Sequence, residues 1–418
     1  MPKFSVLAAG LAAAATVAAL VSCATPQAVR NDAGAPAPAI AADAGQREPD
    51  QRPAQAGDPL LAQAGIAHET VAEAFLTAAT PQDNIDSPAI WRAPNGRLWL
   101  LATAKQGDAL AIYDGDNGER VGRYGRYGRS GSALGQFRRP NGIAVFGDLA
   151  FVVERDNRRV QVLQLSLPPA RSAQPGVADR RTPQLRPLAA FGQAELQQPY
   201  GLWVRQSAPG TLEAIVTDAY MAGEDAAGEA IVPPLERLGR RLQRYELRVG
   251  TGAPQVRNLG AFGDTSADGA IRVPESVWGD PAHDRLLIAE EDLATGTALR
   301  EYGLDGRYRG RTIGRELFKA QAEGIALWQC ADGSGYWIAT DQYKDRSLFH
   351  VFDRATLQHL GAFAGRSVGN TDGVWLQQVG SVRFPDGVFY AVHDDQAVGA
   401  FDWRDVARAL GLRSRCEA

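Results

Sequence analysis

Short apolar runs alternate with turn residues from residue 87 to residue 403. The runs are four to eight residues long, are rich in Val, Ile, Leu and aromatic side chains, and end at Gly, Pro, Asp or Asn. This pattern is typical of β-strands. No amphipathic helical pattern of 12 residues occurs before Arg404. The hydrophobic pattern therefore predicts an all-β fold.

The apolar runs recur as a unit that is repeated six times. The first strands of the six units are SPAIW at 87–91, PNGIAV at 140–145, PYGLWV at 199–204, PESVW at 274–278, AEGIAL at 322–327 and TDGVWL at 371–376. In each unit a second strand ends in charged residues and a third strand alternates, and several units add a fourth strand, such as RVGRYG at 120–125. Four short strands repeated radially protect one another's edges, so the repeat predicts a six-bladed β-propeller.

Three further segments fit this architecture. The strand at 69–77 precedes the first unit and is expected to pair with the last blade, which would close the ring. Residues 167–187 and 219–240 interrupt the repeat and are predicted to be surface loops.

The N-terminal residues have the features of an export signal. Lys3 is followed by an apolar, alanine-rich run that ends in Leu20-Val21-Ser22-Cys23. The run predicts a signal peptide over 1–22, and small residues before Cys23 resemble a bacterial lipobox, which implies lipidation of Cys23. An uncleaved membrane helix is the alternative. Residues 23–65 lack apolar periodicity and predict a flexible tether, which leaves 66–418 for the propeller.

These features predict a protein of the cell envelope, anchored in the periplasm or at the outer membrane. The Cys23 lipid is its only expected membrane contact. The formal net charge of −4 gives no reason to expect nucleic acid binding, and we expect a monomer. Cys330 and Cys416 either form a disulfide, as an exported protein allows, or remain two separate thiols.

Charged residues recur at one end of the repeat, where the first strands of a propeller line its channel. Acids stand at the starts of first strands, and acids with two cations stand at the ends of second strands. These residues are Asp86, Glu275, Glu323 and Asp372 at the starts, and Lys105, Glu154, Arg155, Asp218, Glu290, Glu291, Asp341, Asp394 and Asp395 at the ends. Crowded carboxylates favour a hard cation such as Ca2+. Alternatively, each acid caps a turn.

Lys105 and Arg155 suggest an anionic ligand at the same end of the channel. Phosphate held between calcium and fixed cations is chemically sensible, and Tyr200 would donate a hydrogen bond to it. Alternatively, both cations only pair with neighbouring acids.

Several of these motifs resemble the β-propeller phytases over residues 69–403. The motifs are DSPAIW at 86–91, PESVWGDPAHDRLLIAEED at 274–292, AEGIALWQCADGSGYWIAT at 322–340, NTDGVWL at 370–376 and FPDGVFYAVHDD at 384–395. The resemblance implies a calcium-dependent phosphatase that releases phosphate from myo-inositol hexakisphosphate. It implies calcium ligands at Asp86, Glu275, Glu291, Glu323, Asp372 and Asp394. It also implies phosphate contacts from Lys105, Arg155 and Tyr200, with catalysis by Glu291, Glu275, Lys105 and Arg155.

The sequence departs from the family at four positions. Ser87, Gln321 and Arg366 stand where the family has aspartates, and Asp218 stands where it has a phosphate-contacting lysine. Residues 135–163 also resemble an NHL repeat, a propeller motif of binding scaffolds. A non-catalytic propeller that binds a ligand or partner is therefore the main alternative, and a lactonase-like hydrolase with a single metal is a third.

Overall fold

Six blades of β-sheet confirm the predicted propeller. The computed structural model describes residues 55–125, 131–169 and 181–417, so the predicted signal peptide, Cys23 and most of the tether lie outside the described residues. Within the described residues, no helix has the length and apolar character needed to cross a membrane.

Each blade is an antiparallel sheet whose strands follow one another from the channel outwards. In chain order, the strands are Ile85–Arg92, Leu98–Ala104, Ala109–Asp114 and Arg120–Tyr124 in blade 1; Pro140–Phe146, Leu149–Glu154, Arg159–Ser166 and Gln184–Phe191 in blade 2; Pro199–Ala208, Thr211–Asp218, Leu242–Arg248 and Gln255–Phe262 in blade 3; Pro274–Asp280, Arg285–Glu290, Ala298–Tyr302 and Tyr308–Ile313 in blade 4; Ala322–Gln329, Gly335–Asp341, Leu348–Asp353 and His359–Ala364 in blade 5; and Val374–Gln377, Val388–His393 and Ala397–Asp402 in blade 6.

The N-terminal strand closes the ring, as predicted, but it divides between two blades. Phe75–Leu76 forms the outer strand of blade 6 by antiparallel pairing with residues 399 and 400. Glu69–Thr70 pairs in parallel with the outer strand of blade 5. The two ends of the propeller are therefore joined by hydrogen bonds between distant parts of the chain.

Ordered chain begins before the predicted boundary at residue 66. The short helix Leu61–Ala64 packs on blade 5, where Leu61 is buried against Tyr343 and Leu348. The backbone amides of Leu61 and Ala62 donate to the carboxylate of Asp345, at 2.7 Å and 3.2 Å. The last residues of the segment assigned to the tether thus contact the propeller.

The C-terminal residues are held by a helix and a disulfide. The helix Trp403–Leu410 starts at Asp402, whose side chain accepts from the Arg404 amide, and ends at Gly411. Cys330 and Cys416 form a disulfide, which decides between the two alternatives left open by the sequence. The bond attaches the tail to the loop that follows the first strand of blade 5.

The core lies between neighbouring blades, since the flat side of one sheet packs on the next. Phe349 and Phe363 of blade 5 pack against Phe389 and Phe401 of blade 6, with ring centroids 5.1 to 5.9 Å apart across the two blades. A single blade would leave these rings exposed to water, so each blade depends on its neighbours.

The two insertions differ from their prediction in part. Residues 184–187 belong to the outer strand of blade 2, so the predicted loop is wrong there. The second insertion contains a small exposed hairpin, Gly223–Glu224 with Ala230–Ile231, and the 3-10 turn Leu235–Arg237. The hairpin is exposed, as predicted, whereas Ala219, Tyr220 and Leu238 of the same insertion are buried.

The closing strand provides a test of the ring. The Phe75 ring packs against Phe384 and Tyr390, each with centroids 6.4 Å away, whereas Leu76 is 39% exposed. We expect Phe75→Ala to lower the free energy of unfolding by about 2–3 kcal/mol, because it leaves a cavity at the closure. Leu76→Ala, the matched control, should cost less than about 1 kcal/mol in urea denaturation. Equal losses in both variants would contradict closure by this strand.

Candidate functional site

A repeated β-bulge sets the positions of the side chains that line the channel. In blade 1, Ile85 pairs with Ala104 and Pro88 pairs with Ala102, so the first strand carries one extra residue. The first strands of blades 2 to 5 show the same shift. We call the first residue inside the bulge, together with its equivalent in blade 6, the ring position. The six ring positions are Asp86, Asn141, Tyr200, Glu275, Glu323 and Asp372.

The ring positions are close together because small residues follow most of them. A Cβ on Gly201 would lie 2.6 Å from the Glu275 carbonyl oxygen, and a Cβ on Gly373 would lie 2.6 Å from the Asp86 carbonyl oxygen. Neither distance is possible for a real side chain. The first strands therefore approach most closely at this level, and the ring side chains share one narrow opening.

Lys105 lies between two acids of the ring. Its Nζ is 2.8 Å from Asp86 Oδ1 and 3.0 Å from Asp372 Oδ2, and the residue is 3% exposed. Burial acts to lower the pKa of Lys105, but Asp372 and Asp86 outweigh it and hold that pKa well above its usual value. The Tyr200 hydroxyl donates to Asp86 Oδ1 at 3.3 Å. The structure thus brings together four of the residues predicted from sequence.

Glu275 is a buried carboxyl with other acids nearby. It is 6% exposed, and burial together with Glu291 and Asp86 raises its pKa well above the usual 4.5. Burial removes the water that would stabilise the ionised carboxylate, and the neighbouring acids repel its charge.

Neutral side chains donate hydrogen bonds to carboxylates at two of the positions where the resemblance would place aspartates. The Ser87 hydroxyl donates to Asp86 Oδ2 at 2.8 Å, and Gln321 Nε2 donates to Glu291 Oε1 at 2.7 Å. Gln342 Nε2 similarly donates to Asp372 Oδ1 at 2.6 Å. These neutral side chains fix the carboxylates by hydrogen bonds and add no negative charge to the site.

Four acids at the ends of second strands are structural caps. Asp218 accepts from the backbone amides of Gln197 and Gln198, and Asp341 accepts from those of Lys319 and Ala320. Glu154 and Glu290 accept backbone amides in the same way. Each carboxylate binds the loop that enters its own blade. For these four, the predicted ring of ligands is wrong and the capping alternative is correct.

The predicted calcium ligands Glu323 and Asp394 differ in burial. Glu323 is buried at its ring position, whereas Asp394 is only half-buried. The next residue, Asp395, is buried and acts to raise the pKa of Lys105. Among the described residues, no three His, Cys, Asp or Glu side chains lie close enough together to hold a metal ion as they stand. Carboxylate oxygens and excess negative charge fit calcium chemically. The ammonium of Lys105, however, lies between Asp86 and Asp372.

Two arginines lie beside the ring at blade 2. The predicted phosphate contact Arg155 is half-buried, and its Nε donates to Asp156 at 3.1 Å. Sequence analysis missed Arg139, whose carbonyl oxygen accepts from the Arg155 amide. Burial and Arg155 lower the pKa of Arg139, while Tyr200, Asp156 and Asp372 act to raise it.

Sequence analysis also missed Asn141, because only charged residues and Tyr200 were selected from the six first strands. The signal was present: PNGIAV aligns with the other first strands and carries Asn at the ring position. Asn141 is fully buried, with a relative exposure of 0%.

Comparison with known proteins gives distant structural likeness. No protein-family model matches the chain. The calcium-binding protein regucalcin from Agrobacterium tumefaciens is 12% identical, with a TM-score of 0.44 over 80% of this chain and 95% of that chain. The PQQ-bound aldose sugar dehydrogenase from Streptomyces coelicolor is 13% identical, with a TM-score of 0.45 over 80% and 98%. The α-L-arabinanase from Penicillium chrysogenum is 10% identical, with a TM-score of 0.45 over the same shares.

The raised pKa of Glu275 makes stability depend on pH. Because the folded state holds a proton that the unfolded chain loses above about pH 4.5, the free energy of unfolding should fall as pH rises towards the raised pKa. Glu275→Gln removes this loss, so the variant should be more stable than the wild type at about pH 8 and similar to it at about pH 4. Urea denaturation in a metal chelator measures the difference.

Glu224→Gln, on the exposed hairpin, is the matched control and should follow the wild type at both pH values. If the stability of Glu275→Gln kept the wild-type pH dependence, the pKa of Glu275 would not be raised in the folded protein.

Proposed function

We propose that the protein is a calcium-dependent phosphatase that acts on myo-inositol hexakisphosphate or a related phosphate ester. The observation that carries the proposal is the shared opening in which Lys105, Tyr200 and the ring acids Asp86 and Asp372 are in contact. The motif resemblance to β-propeller phytases supports the same chemistry.

In this proposal the chain's own residues bind and orient the phosphate ester. Lys105 and Arg155 provide positive charge for phosphoryl oxygens, and Tyr200 provides a hydrogen-bond donor. Glu291, which Gln321 holds by a hydrogen bond, lies at the edge of the ring and accepts the proton of the attacking water. Calcium, when bound by the ring carboxylates, would supply the positive charge that stabilises the negative charge developing on phosphate.

A non-catalytic propeller that binds an anionic ligand is the second candidate. Ser87 and Gln321, which replace family acids, bond to the carboxylates that remain. Fewer acids mean weaker calcium binding, which favours ligand binding without turnover.

Export remains part of the proposal. A lipid on Cys23 would hold the propeller at the cell envelope, where its substrate would be a small phosphorylated molecule rather than nucleic acid. Cys23 and the preceding signal lie outside the described residues.

Glu291 provides the test of catalysis. We expect Glu291→Gln to lower the rate of phosphate release by at least about tenfold, or about 1.4 kcal/mol of barrier, because the amide cannot accept the proton. Release of inorganic phosphate from inositol hexakisphosphate by the purified full chain measures the rate. Glu224→Gln makes the same chemical change on the exposed hairpin and should leave the rate unchanged. Wild-type turnover by Glu291→Gln would remove Glu291 from the mechanism.

A further inference from the structure

The six ring positions divide the opening into two chemically different halves. Blades 4, 5, 6 and 1 contribute acids, whereas blades 2 and 3 contribute the neutral residues Asn141 and Tyr200. The two arginines, Arg139 and Arg155, lie on the neutral side. Cations and anions are therefore favoured on opposite sides of one opening.

Asn141 has an unsatisfied polar side chain within the ring. Neither its Oδ1 nor its Nδ2 has a hydrogen-bond partner among the described residues, and both atoms are buried. An amide that is buried without partners loses its hydrogen bonds to water and gains none in exchange, and side chains of this kind are rare in folded proteins. The amide at this position therefore has a chemical reason to bind a ligand.

The surroundings of Asn141 indicate which ligand it would bind. A Cβ on the next residue, Gly142, would lie 2.5 Å from the Tyr200 carbonyl oxygen, so the first strands of blades 2 and 3 are in close contact here. The Tyr200 side chain reaches from blade 3 to Asp86 on blade 1, past the ring position of blade 2. The ring position of blade 2 thus lies between the first strands of blades 1 and 3, whose ring side chains Asp86 and Tyr200 are hydrogen-bonded to each other.

The nearby charges favour an oxyanion. The Arg155 amide donates to the Arg139 carbonyl oxygen at 3.1 Å, so the two arginines are neighbours on blade 2. Asp156 bonds Arg155 and acts to raise the pKa of Arg139, against burial and the charge of Arg155. An oxyanion at this place would accept hydrogen bonds from guanidinium groups and from an amide N–H. A metal cation would instead be repelled by both arginines.

We propose that Asn141 and Arg139 form the oxyanion subsite of the opening and bind a phosphoryl oxygen of the ligand, with Arg155 and Tyr200 beside them. The inference rests on the proposed function for the identity of the anion. It extends that function by placing the phosphate on blades 2 and 3 and the cation-binding acids on the opposite blades.

Asn141→Asp tests the subsite with a change of charge at nearly constant shape. A carboxylate here would repel the anion, so we expect the dissociation constant for inorganic phosphate to rise at least about tenfold. Titration calorimetry of the full chain with orthophosphate, at a fixed calcium concentration, measures the constant. Asn117→Asp is the matched control, because Asn117 is exposed in the loop after the third strand of blade 1, at the opposite end of the propeller, and should leave the constant unchanged.

A second variant, Arg139→Asn, tests the same subsite if Asn141→Asp does not fold. Arg139 has φ of 48°, a conformation that asparagine tolerates, so Arg139→Asn removes the guanidinium and keeps the backbone. We expect it to weaken phosphate binding to a similar degree. Melting temperatures without phosphate identify which variants are folded, and only folded variants are compared.

The possible results separate this inference from the proposed function. Wild-type phosphate affinity in folded Asn141→Asp and Arg139→Asn would overturn the subsite, as would a wild-type protein that does not bind phosphate. Weaker binding in both variants, from a wild type that binds phosphate but releases none from inositol hexakisphosphate, would support the subsite and contradict the phosphatase.

Discussion

The close approach of the first strands at the ring is the constraint on which the rest of the site depends. Closure of the propeller gathers the start of each first strand around one channel, and glycines such as Gly201 and Gly373 allow the backbones to approach. The side chains at the six ring positions, which are distant from one another along the chain, then share one opening. Polar groups so close together must either be compensated or bind something that compensates them.

Lys105 and several neutral hydrogen-bond donors compensate the carboxylates of the opening. Lys105 compensates two buried carboxylates, and a buried ion pair of this kind leaves an uncompensated charge when one partner is lost. Ser87, Gln321 and Gln342 donate to acids of the opening. Burial and the nearby acids Glu291 and Asp86 still raise the pKa of Glu275. Remaining negative charge on one side and two arginines on the other suit a ligand that combines a cation and an oxyanion.

The repeat in the sequence predicted the six blades, their closure and a shared channel mouth for Asp86, Lys105, Tyr200 and Asp372. It could not separate ring acids from capping acids, because both follow or precede apolar strands. Glu290 and Glu291 are adjacent, yet one caps a loop and the other lies by the ring. The direction of a side chain depends on a bulge that involves two strands. The aligned first strands show Asn141 at a ring position, but its burial without a hydrogen-bond partner is visible only in the folded structure.

The central claim is that this opening binds calcium and phosphate together and releases phosphate from an ester. Its most direct test is phosphate release from inositol hexakisphosphate by the purified full chain, first with calcium and then with an excess of a calcium chelator. The account predicts release with calcium and none with the chelator. Release that persists in the chelator, or no release under either condition, would contradict it.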